Sequence, residues 1–160
     1  MKRWVIACVA LGAIYAGTPR ENVAAQVVAL TLTDLAQGAH VVVRGVVIDK
    51  TTDWTNGGAM LETVYTVECV ETLKGTAVPG SQIQIFVDGG DMGDLKIRAS
   101  EAPTYGQGEE VVVFGRARQA GGYDTYGCFQ GKYTILSGMV REQMNTTWPA
   151  FRQQIVEALN

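Results

Sequence analysis

Apolar and polar residues alternate along most of this chain, and the alternation predicts strands. The clearest case is 81–87, where Ile83, Ile85 and Val87 face a core while Gln82 and Gln84 face water. A second run, 61–70, turns Tyr65, Val67 and Cys69 one way and Thr66 and Glu68 the other. Segment 40–48 is different: Val41, Val42, Val43, Val46, Val47 and Ile48 fill both parities, so both of its faces must be covered. Further strands are predicted at 95–99, 111–114, 123–129 and 132–136. Asn56-Gly57-Gly58 supplies the positive φ angles of a hairpin turn between the first two. Six or seven strands at regular spacing, with no βαβ rhythm, predict a mostly β fold, a small antiparallel barrel or sandwich.

Helical spacing appears at two places. Thr31 can cap a short helix that presents Leu32, Leu35 and Ala36 on one face, with Asp34 in its first turn and Gly38 at its end. Over 147–159, Trp148, Phe151, Ile155 and Leu159 recur along one stripe and Pro149 suits the first turn. That amphipathic C-terminal helix is expected to brace the barrel.

The first 25 residues carry a different pattern. Lys2 and Arg3 precede an uncharged apolar run, Trp4 to Tyr15, and small residues follow at Ala16 and again at Ala24 and Ala25. This is the layout of an export signal, and the run is too short for a comfortable membrane span of about 20 residues. The expected organisation is therefore a leader over 1–25 and one domain over 26–160. The expected location is periplasmic or secreted, with membrane contact only if the leader is retained as a tether.

Charge narrows the partners. The formal charge is −3 and falls further without Lys2 and Arg3. No Lys/Arg cluster offers a footprint for nucleic acid. Candidate chemistry is sparse. His40 is the single histidine, too few for a zinc site, and no Gly-x-Ser-x-Gly turn supplies a nucleophile. Asp88, Asp91 and Asp94 stand on what reads as a glycine-rich loop and are the calcium candidates, although their spacing departs from the EF-hand alternation and a solvated loop is the default. Glu109 and Glu110 are adjacent at a strand start, so they point apart and read as solubilising groups. Cys69 and Cys128 remain once the leader is gone, either as a disulfide or as two buried thiols; spacing decides neither. Trp54, Tyr105 and Tyr126 are the aromatic candidates for an interaction surface, one suited to protein or sugar.

Several segments together resemble a known group. They are Val42-Val43-Arg44-Gly45-Val46-Val47, the run from Tyr65 to Gly75 ending Leu73-Lys74-Gly75, Gly89-Gly90-Asp91, Gly108-Glu109-Glu110-Val111 and Gly127 to Tyr133. The chain resembles uncharacterised exported bacterial proteins with an OB-like barrel. More loosely, it is similar to the netrin-like module of tissue metalloproteinase inhibitors. The resemblance implies an OB-like or netrin-like barrel. It implies no inhibitory residue here, because those inhibitors chelate the protease metal with an amino-terminal cysteine and carry several disulfides. The expected function is a non-catalytic protein-interaction module outside the cytoplasm, an accessory subunit of a larger envelope assembly with no cofactor. Metalloprotease inhibition and a small calcium-dependent enzyme are the alternatives.

Overall fold

The computed structural model describes residues 27–160; the expected leader, with Ala16, Ala24 and Ala25, lies outside the described residues. Helix α1 spans Leu32–Gly38 and opens on a capping box. The Asp34 N–H donates to the Thr31 hydroxyl (3.1 Å), and the Thr31 N–H donates back to the Asp34 carboxylate (2.8 Å). The hydroxyl and N–H of Thr31 also hold the Asp34 carboxyl below its ordinary range. At the other end, Lys74 Nζ donates to the carbonyls of Ala36 (2.8 Å) and Gln37 (2.9 Å), which the short helix leaves without internal donors.

Eight strands follow: β1 (Val41–Thr55), β2 (Met60–Lys74), β3 (Gln82–Met92), β4 (Leu95–Arg98), β5 (Glu110–Ala117), β6 (Tyr123–Thr125), β7 (Lys132–Leu136) and β8 (Met139–Val140). Helix α2 (Trp148–Leu159) closes the chain. Pairing runs β1-β2-β3-β6-β5 and returns from β5 to β1, so five strands close on themselves. Of the two folds the hydrophobic pattern leaves open, barrel and sandwich, this is the small barrel, with flanking helices as expected. Closure requires one parallel pairing, β3 with β6, within an otherwise antiparallel sheet. Strands β7 and β8 extend from the edge of β5, and β4 hangs from the end of β3.

The two-sided valine runs place the core. Val41, Val43, Val111 and Val113 point into the barrel with Tyr65, Val67 and Ile85. Their neighbours Val42, Val112 and Phe114 point out and are covered by Leu35 and Ala36 of α1 and Phe151 and Ile155 of α2. One strand pair thus serves two cores, which is why neither run alternates. The C-terminal helix braces the outside of the barrel.

Three predicted segments change character. The supposed acidic loop at 88–94 is strand for most of its length: β3 continues to Met92, and Gly93-Asp94 is the turn into β4. The predicted strand over 123–129 stops at Thr125, because Gly127 and Cys128 take positive φ and a 3₁₀ turn (Cys128–Gly131) follows. The first hairpin is longer than predicted, with β1 and β2 paired from Val42/Lys74 to Thr55/Met60. Among the described residues no helix is long and apolar enough to cross a membrane.

Candidate functional site

The closure of the barrel makes a groove. β3 and β6 pair only at Ile85/Tyr123 and Phe86/Asp124. Beyond that short contact the chain from β4 to β5, residues 99–109, crosses in front of them. Tyr105 anchors this connector in the barrel core. It is 3 % exposed, its ring lies 5.0 Å from that of Tyr65, and its hydroxyl is 2.7 Å from Thr125 Oγ1. Burial pushes the Tyr105 hydroxyl far above its ordinary range, so it remains a neutral hydrogen-bonding group. Below it Lys132 Nζ, 5.5 Å from the ring centroid, donates to Glu109 (3.0 Å) and to Thr134 Oγ1 (2.8 Å). The second pin is the Phe129 N–H, which donates to the Glu101 carbonyl at 3.1 Å.

Between connector and barrel lies an open groove of about 290 Å³. Phe86, Val87, Ala102 and Pro103 give it an apolar floor. Asp88, Glu101 and Asp124 line it with carboxylates, and the exposed thiol of Cys128 stands on its wall. Arg118 lies 4.1 Å from the centroid of the Phe86 ring, 2.9 Å from Glu62 and 3.6 Å from Asp124. Burial lifts the Asp124 carboxyl above its usual range; Arg118 and, more weakly, Arg116 pull it down, while Asp88 and Glu62 add to the rise. Along the same outer face, Thr66, Gln82, Gln84, Gly122 and Tyr123 border a polar hollow of about 440 Å³. Gly122 sits with φ +72, and a Cβ there would fall 2.4 Å from the Phe86 ring, so glycine is what lets the β5–β6 turn approach this strand.

The structure separates most of the residues singled out in the sequence. Asp88 is on the groove, Asp91 is ion-paired with Arg98 at 3.1 Å, and Asp94 is in the β3–β4 turn. The calcium candidates are thus spread along a hairpin. Among the described residues no three His, Cys, Asp or Glu side chains converge as a metal site. Cys69 is buried in the barrel, 3.3 Å from Thr72 Oγ1, whereas Cys128 is exposed and both are free. Of the aromatic trio, Trp54 is 41 % exposed at the end of the first hairpin. Tyr105 is interior, a correction to its reading as surface, because the connector needs an anchor. Tyr126 is half-buried against the helix-side core, with Arg116 5.7 Å from its ring. The three do not form one face.

His40 is exposed, and its Nδ1 accepts the Ala117 N–H at 2.9 Å. Glu109 and Glu110 do point apart, but as structural partners of Lys132 and Arg44. Sequence reasoning passed over Phe86, Glu101 and Asp124. A signal existed for Phe86: it occupies an outward position of β3 between Gln84 and Asp88, where an aromatic ring breaks the pattern. Comparison of the chain with family models, with characterised proteins and with solved structures returns no match.

Proposed function

We propose that this protein is a non-catalytic interaction module that works outside the cytoplasm, as an accessory subunit docking on a larger envelope assembly. Its docking surface is the outer face of β2, β3 and β6 together with the connector. The observation that carries this reading is the groove itself: a fixed apolar floor left open to solvent, walled by a segment that Tyr105 and Phe129 hold in place. Apolar surface kept uncovered on a rigid frame is what a partner buries on association. The polar groups that do converge, Lys132, Glu109, Tyr105 and Thr134, are spent on one another and on holding the connector. That use is structural. The basic head and apolar run at the amino terminus support the extracytoplasmic location.

A photo-crosslinking amino acid placed at Gln84 or Glu101, compared with one at Gln153 on the exposed side of α2, tests the reading in intact cells. Adducts of one higher mass from the first two positions and none from the third are expected. Equal labelling from all three positions, or adducts from Gln153 alone, overturns it.

A further inference from the structure

We infer that the groove between β3, β6 and the connector receives a lysine or arginine side chain from an extended basic segment of the protein partner. The inference rests on the interaction reading and names the chemistry of what docks. Two features of the groove support it.

The first is charge. Four carboxylates, Glu62, Asp88, Glu101 and Asp124, surround the groove and its edge, against the guanidinium of Arg118 and the weaker influence of Arg116 on Asp124. Arg118 is held closer to Glu62 than to Asp124. The side chains of Asp88 and Glu101 make no hydrogen bond or ion pair among the described residues. The local field is therefore negative and incompletely compensated, and it attracts a cation.

The second is shape. The carboxylates are distributed around the groove and do not gather at a point, so a small metal ion finds no coordination set. Between them runs an apolar floor formed by Phe86, Val87, Ala102 and Pro103. A long side chain with an aliphatic stem and a charged tip satisfies both parts at once: stem on the floor, tip among the carboxylates. The groove's size of about 290 Å³ suits one or two side chains and falls at the lower limit of small-molecule pockets, about 300 Å³.

The test uses the full chain, uniformly labelled with ¹⁵N, and four blocked hexapeptides identical except for a central lysine, arginine, norleucine or glutamate. The lysine and arginine peptides are expected to shift the amide signals of residues 86–88, 99–102 and 124–128. Norleucine is expected to bind about tenfold more weakly, a difference of about 1.4 kcal/mol, and glutamate not measurably. The triple variant D88N/E101Q/D124N alters only partly exposed groups and is expected to keep the native spectrum while losing about tenfold in affinity for the lysine peptide. Equal binding of norleucine and lysine, equal binding by the triple variant, or shifts confined to other faces each overturn the inference. Groove cross-links in cells combined with silent peptides would remove the inference and leave the interaction reading standing. If the cross-links also fail, the interaction reading falls with it.

Discussion

Tyr105 shows how one residue can join two structural tasks. Its ring completes the barrel core against Tyr65, and its hydroxyl ties the connector to β6 through Thr125. Tyr105→Phe keeps the ring and leaves a hydroxyl without its partner, so a loss of about 1–2 kcal/mol is expected by urea denaturation. Asp124 behaves in the opposite sense. Its folded pKa lies above the unfolded one, so the protonated group favours the fold and that contribution is lost as pH rises through the folded value. Asp124→Asn is therefore expected to raise the urea midpoint at pH 7, with the advantage shrinking as pH falls towards about 4. An unchanged or lowered midpoint at pH 7 would show that the Arg118 contact outweighs burial. At this scale the sequence was least informative. Tyr105 looks like any loop aromatic, and nothing local tells that Thr125, twenty positions on, will meet its hydroxyl.

Strands and helices were far more legible. Period-two patterning located the interiors of β2 and β3, and the Thr31–Asp34 pair fixed the start of α1, because both signals are local. What misled was glycine. Gly89-Gly90 reads as a loop, yet β3 passes through it and bends. Gly90 has φ +154, and a Cβ there would meet Thr63 Oγ1 at 2.2 Å and Thr52 Cγ2 at 2.6 Å. Close approach lets β3 pack against Thr52 of β1 and Thr63 of β2 as it enters the β3–β4 hairpin, and Thr63 also donates to the Gly89 carbonyl at 2.7 Å. Gly90→Ala is expected to cost about 1–3 kcal/mol through overpacking and to increase hydrogen exchange across β4 first. A variant as stable as the parent, with β4 still protected, would mean that the hairpin can shift without penalty. Sequence patterning could not show this, because the atoms that exclude a side chain belong to two other strands.

On the scale of the molecule, the fold follows from a simple demand. Two valine-rich strands are apolar on both faces, so the sheet must curl to cover one face and recruit helices to cover the other. Closing the ring through the short β3–β6 pair leaves these strands free to diverge, and the connector turns the resulting gap into a groove. Pattern alone narrowed the fold to a small barrel or sandwich. The groove could not be anticipated, since it is assembled from residues 86–88, 99–103 and 124–128, which share no sequence motif. The free thiol of Cys128 on the groove wall, with Cys69 buried inside the barrel, provides a direct probe of whether a partner occupies it. The rate of Cys128 alkylation by iodoacetamide, read on its own peptide by mass spectrometry, can be compared between the purified protein and the native envelope. Cys128 is expected to react several-fold more slowly in the envelope, with Cys69 protected in both settings. Equal rates for Cys128, with Cys69 still protected, would mean that the groove stands empty where the protein works.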